Sequence, residues 1–273
     1  MNRQSLRSKI VVSIFGLAML FPFIWMVSSS LKVGAEAFAT PPTLIPKHPT
    51  LENYRRVFEI IDLPRLFLNS LIISIIIVTL QLTTASLAGY AFARLHFRGK
   101  NAIFVVYLAT MMIPFQVILV PMFIEMRQLG LIDSYLGLIL PTCTSAFAVF
   151  LMRQVMLGIP RELEEAAILD GASHFRLFRS IALPLCVPTL ATLGILGFMG
   201  TWNAFLWPLV MIYSPEKMTL PLGLALLSGE HSSSNDWPMI MAGTTLSIIP
   251  IVIVYLLFQR KIAQSFLTAG LKG

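Results

Sequence analysis

Charge is scarce in this chain: only 12% of its 273 residues are Asp, Glu, Lys or Arg. A soluble domain carries about twice that fraction. With 56% hydrophobic residues and a mean hydropathy of +0.80, most of the chain is expected to lie in lipid. Cysteine is nearly absent. Cys143 and Cys186 sit in different apolar runs, too far apart for a disulfide, and neither reads as a redox centre. His48, His96, His174 and His231 are scattered without cysteine or paired carboxylate neighbours, so no metal site is expected. No stretch fits G-x-x-x-x-G-K-[ST], and the chain is therefore not expected to hydrolyse ATP by itself. Ser29-Ser30-Leu31-Lys32 spells S-x-x-K, but the K-T-G and S-D-N partners are missing. The apolar runs carry almost no carboxylates, Glu125 lying at the end of one. That argues against intramembrane hydrolysis and against an ion-coupled secondary transporter, which places acids near the midplane.

What the chain does have is long apolar runs. About 20 mostly apolar residues cross a hydrocarbon core as a helix. Six stretches qualify: Ile10 to Leu31, Leu66 to Ala93, Ala102 to Ile124, Leu136 to Leu157, Leu183 to Ile212, and Pro238 to Phe258. The first is too long for a signal peptide and offers no small-residue cleavage site, so it reads as an uncleaved anchor. The net charge of +7 forms no single stripe that would suit nucleic acid. With a cytoplasmic N-terminus, thirteen Lys and Arg fall in inner segments and seven in outer ones, placing both termini in the cytoplasm.

Between the runs, Lys32 to Arg65 is proline-rich, and Leu51, Tyr54, Val57 and Phe58 are spaced for one face of a short surface helix. The second run holds Asn69, Ser70, Gln81, Thr83, Thr84 and Ser86, which should face other helices or a cavity. Pro114 and Pro121 should bend or break the third run, making Gln116 a candidate for lining a pathway. Arg153 should snorkel from the inner end of the fourth. In the fifth, Gly194, Gly197 and Gly200 offer a smooth strip, and Trp202, Asn203 and Trp207 could meet a sugar or form an interfacial belt.

One polar interval stands out, Pro160 to Pro184. Pro160, the acids Glu162, Glu164 and Glu165, and Gly171 predict a short helix with a left-handed stop. Leu163, Ala166 and Ala167 share a narrow face for close approach of another surface. Ser173 should cap a second helix, with Arg176 and Arg179 on one side and Phe175, Phe178 and Ile181 on another, broken at Leu183-Pro184. The spacing is Glu165-Ala166-Ala167, three residues, Gly171, nine residues, Ile181, one residue, Leu183-Pro184.

That pattern resembles the EAA loop of the permease subunits of binding-protein-dependent ABC importers. LENYRRVF after a proline-rich run, and the tail from Gln259 to Gly273, resemble the carbohydrate-uptake branch, in particular the second permease subunit of maltose-type importers. The resemblance implies an all-α polytopic membrane protein with six transmembrane helices, the type I importer permease fold. It implies an anchor and periplasmic segment (1–65), a permease core (66–260) with a coupling loop at 158–184, and a cytoplasmic tail (261–273). It implies ATPase coupling through Glu164, Glu165, Ala166, Ala167, Asp170, Gly171, Ile181 and Pro184. Partners would be a second permease, a dimer of ATP-binding subunits holding the ATP and Mg2+, and an extracytoplasmic solute-binding protein, in the inner membrane among its lipids. The cargo would be a sugar or oligosaccharide. Glycerol phosphate or another small solute, or an ion-coupled secondary transporter, remains the alternative.

Overall fold

The computed structural model describes residues 3–230 and 236–270. Residues 231–235, and 271–273 of the tail noted above, lie outside the described residues. Among the described residues the chain is helical and contains no strand. In order, the helices are α1 (Arg3–Ser30), α2 (Glu52–Ile60), α3 (Leu63–Arg94), α4 (Lys100–Ala109), α5 (Phe115–Gln128), α6 (Tyr135–Ile139), α7 (Ala146–Leu157), α8 (Arg161–Leu169), α9 (His174–Leu177), α10 (Leu183–Leu185), α11 (Val187–Trp202), α12 (Leu206–Met211), α13 (Leu220–Glu230) and α14 (Trp237–Gly270).

Among the described residues, three helical stretches are long and apolar enough to cross a membrane unbroken: Val11–Ser30, Leu63–Arg94 and Trp237–Leu257. Three further pairs cross only if each bent pair is one span, which brings the number to six. Lys100–Met112 and Phe115–Gln128 meet at 102°, Tyr135–Thr142 and Ala146–Leu157 at 42°, and His174–Leu185 and Val187–Trp202 at 73°. Pro114 marks the first break, as expected, while Pro121 is accommodated inside α5. The third break corrects the expected stop at Leu183-Pro184. Helix continues through both residues and turns at Cys186, because Pro188 has no N–H to return to residue 184. The single long fifth span is likewise divided, at Asn203 to Phe205, between α11 and α12.

The chain divides into two compact units, 1–67 with 220–250 and 68–219 with 251–273. In the first, α2 buries Asn53 and Val57 and leaves Leu51 and Phe58 exposed, which corrects the apolar face predicted for it. The reason is the end of α1, whose last carbonyls need donors. Asn53 Nδ2 donates to the carbonyls of Ser30 and Lys32, each at 2.8 Å, and the Ser30 and Tyr54 hydroxyls meet at 2.7 Å. Lys32 is itself buried, its ammonium donating to the Thr43 carbonyl and lying 4.6 Å from the Trp25 ring centre.

The core of the second unit joins α3, α4, α7, the segment 174–186 and α11, through Tyr90, Phe104, Met152, Met156, Phe178, Cys186 and Leu193. Arg153 does not reach out as an anchor. Its guanidinium stacks 4.0 Å over the Phe104 ring and donates to the Phe92 carbonyl. Of the predicted glycine strip, Gly194 and Gly197 pack on Leu82, Val78 and Gln81 of α3, whereas Gly200 faces open space.

Candidate functional site

Two features of the second unit gather the predicted site residues. The first is the polar interval. Pro160 precedes α8 in an extended conformation, and Glu162 and Glu164 occupy the first turn, where carboxylates suit the positive helix end. At the other end Gly171 has φ +78°. Its N–H donates to the Ile168 carbonyl and that of Ala172 to the Ala167 carbonyl, both at 2.9 Å, the paired bonds of a Schellman stop. Ser173 caps the next arm by accepting from the Arg176 N–H. That arm runs on through a π-helical turn, Phe178–Ala182, to Leu185.

Glu165, Ala166, Asp170 and Gly171 are exposed, together with Leu163, Ile168, Leu169 and Phe175. Ala167 and Ile181 instead pack against the core, so the three residues predicted to share an outward face divide, with Ala167 turned inward. Pro184 is exposed within its helical turn.

Glu164 points the opposite way from Glu165. Its Oε1 lies 2.9 Å from Nε of Arg94, the last residue of α3, with side chains only 12% and 7% exposed. The N–H is not aimed along that line, so the contact is coulombic. Arg94 Nη2 donates to the Ile159 carbonyl at 2.6 Å. Stranding one member of a buried pair of this kind costs about 3–5 kcal/mol. Arg94 was visible in the sequence only as an inner-side cation; nothing in the spacing linked it to Glu164.

The second feature is a cavity of about 540 Å³ lined from α3 by Ile73, Ile77 and Gln81, with Phe115, Leu138, Thr142, Thr201, Asn203, Phe205, Trp207 and Thr219. It contains no charged side chain. Trp207 donates its indole N–H to the Gly137 carbonyl at 3.1 Å and meets Phe115 edge-on, 6.4 Å between ring centres. Gln81 Nε2 donates to the Thr142 carbonyl, and Asn203 Nδ2 to that of Met199, each at 2.8 Å. The Thr219 hydroxyl is buried without a partner. Of the pathway candidates the structure brings Asn203 to this wall. Trp202 is 1% exposed and stacks on Phe198 in the interior, and Gln116 is exposed on α5 outside the lining. Gln81 belongs to the wall, although its setting in a polar stretch of α3 reads as helix packing.

Residues 81–267 match the family model described as binding-protein-dependent transport system inner membrane component. The chain belongs to that family. This permease is 39% identical over 257 residues to the arabinooligosaccharides transport system permease protein AraQ of Halalkalibacterium halodurans, covering 93% of this chain and 91% of that one. It is 32% identical to the lactose transport system permease protein LacG of Rhizobium radiobacter, over 94% and 93% of the two chains. Among solved structures it resembles a chain of a bacterial ABC transporter involved in the import of the acidic polysaccharide alginate, with TM-score 0.84, 25% identity and coverage of 96% and 99%. The all-α, multi-span type I permease fold expected from the sequence is therefore the fold of this chain.

Proposed function

We propose that this permease forms, with a second permease subunit, the pathway by which an ATP-driven importer moves a neutral sugar or oligosaccharide across the inner membrane. The observation that carries this reading is the uncharged cavity, where Trp207, Phe115 and Phe205 offer apolar ring faces and Gln81, Asn203 and Thr219 offer polar ends. A saccharide has the matching two-sided chemistry, with C–H faces and a rim of hydroxyls. The transported sugars of the relatives AraQ and LacG support it. A glycerol phosphate would need a cation that the cavity wall does not provide.

The solute arrives from an extracytoplasmic binding protein. On the cytoplasmic side, α8 and the arm after it present Glu165, Ala166, Leu163, Leu169 and Phe175 to an ATPase dimer, which holds the ATP and Mg2+; this chain supplies no ATPase site of its own. Both termini face the cytoplasm, in line with the excess of Lys and Arg on that side. Residues 66–260 act as the permease core, with 158–184 as its coupling loop.

The test is a mild-detergent pull-down of the tagged chain from its native membrane, followed by mass spectrometry of the proteins and of any ligand on the binding protein. An ATPase, a second permease and a binding protein holding a neutral sugar are expected. Uptake that survives ATP depletion but collapses with a proton uncoupler would instead establish a secondary transporter.

A further inference from the structure

We propose that Arg94 is a positioning residue that locks α8 to α3, so that the two move as one rigid body and α3 carries motion of the coupling loop to the cavity wall. The proposal rests on the reading of α8 as the element an ATPase moves.

The last turn of α3 grips both arms of the loop. Arg94 holds the first arm twice, through the Ile159 carbonyl just before α8 and through Glu164 in its first turn. Tyr90, one turn earlier on the same helix face, packs on Phe178 of the second arm, with ring centres 5.3 Å apart. Arg94, Ile159, Glu164, Tyr90 and Phe178 are all largely buried. Water therefore does not compete for the charge contact, and its geometry is held by packing on both sides.

The same helix reaches the cavity without a break. Gln81, Ile77 and Ile73 of α3 line it, and the thirteen residues from Arg94 to Gln81 span about 20 Å of helix. The chain's own covalent exits from the loop are less direct. Forward, the path to α11 turns through 73° at Cys186, and backward, α7 meets the preceding helical segment at 42°. A bent joint absorbs displacement by changing its angle, whereas an unbroken helix passes it on. The arginine is suited to the task because a guanidinium addresses a carbonyl and a carboxylate at once, which a lysine ammonium on a flexible stem does not do in fixed geometry.

The experiment uses the whole complex in lipid nanodiscs, with spin labels at Leu87→Cys on α3 and Leu169→Cys on α8, positions that are 50% and 89% exposed. The distance between labels is recorded nucleotide-free and after trapping with Mg-ATP and vanadate in the presence of the binding protein. With Arg94 intact, the distance distribution should be the same in both states. With Arg94→Met it should shift on trapping by more than about 2 Å, the scale of helix displacements in switching proteins. Arg94→Lys should give an intermediate shift. A distance that changes on trapping with Arg94 present, or one that stays constant in Arg94→Met, overturns the proposal. If Arg94→Met does not accumulate, the isosteric Glu164→Gln decides in the same way. Failure of the underlying reading looks different: the unsubstituted chain purifies without an ATPase, which removes both.

Discussion

Trp207 donates its indole N–H to the carbonyl of Gly137 at 3.1 Å, which ties α12 to α6 beside the cavity. Gly137 in turn receives Ser134 as the cap of α6, its N–H donating to Oγ at 3.1 Å. A Cβ at this position would collide with the Leu131 carbonyl oxygen and the Met211 methyl, so only glycine fits.

Trp207→Phe should keep the ring and lose the donor. Leaving the Gly137 carbonyl buried and unpaired costs about 1–3 kcal/mol. Gly137→Ala should be at least as damaging, since backbone must move to relieve the clash. Thermal unfolding of the purified complex should rank both below the parent, and uptake should fall with them.

Asp133 should make the loops that carry Asp133 and Tyr213 to Lys217 acid-sensitive. Its carboxylate accepts from Lys217 Nζ at 2.8 Å, from the Ser214 hydroxyl at 2.6 Å, and from the N–H groups of Ser214 and Tyr213, both at 3.0 Å. The Lys217 contact first, then those to Ser214, holds its pKa far below the ordinary 3.8. A depressed carboxylate contributes stability that is complete above its unfolded value and is lost as pH falls toward the folded one. Melting curves should therefore separate the parent from Asp133→Asn at neutral pH, and the gap should narrow as pH drops below 3.8.

Gly171→Ala should loosen the stop of α8. A side chain at φ +78° meets no neighbour within 4 Å, so the penalty is that of the backbone alone, about 1–2 kcal/mol. Insertion into the membrane should be unaffected, while solute moved per ATP hydrolysed falls in a reconstituted system. Normal coupling in Gly171→Ala and Gly171→Pro alike would remove α8 from the coupling role.

Asn53→Leu should unfasten the segment after α1. Two carbonyls, those of Ser30 and Lys32, lose their donor, at about 1–3 kcal/mol for each stranded group. Proteolysis between residues 39 and 50, most of which are exposed, should accelerate relative to the parent.

The features legible in the sequence were those with a local cause. Gly171 and Ser173 needed only backbone preferences, and the apolar runs only the thickness of a bilayer. What escaped depended on partners distant in the chain. Asn53 is buried because α1 ends beside it, against the apolar pattern of α2. Trp202 sits in the interior because Phe198, one turn back, turns the same face inward, whereas its aromatic neighbour Trp207 reaches the cavity after the break at Asn203. Arg153 found a ring to stack on, and Glu164 found Arg94 seventy residues away. The break at Cys186 was misplaced by two residues because Pro184 and Pro188 are both capable of causing it, and the turn before Pro184 absorbs the first.

That turn, Phe178–Ala182, winds with one residue more per loop of backbone hydrogen bonds than an α-helix. The nine residues between Gly171 and Ile181 are thus a phase setting and not a mere spacer. Deleting one of them within the turn would leave a continuous, well-bonded helix but rotate everything before it by about 100°. Phe178 would swing off Tyr90, and α8 would present the wrong side to whatever binds it. Length variation here should be selected against even where every individual side chain tolerates exchange.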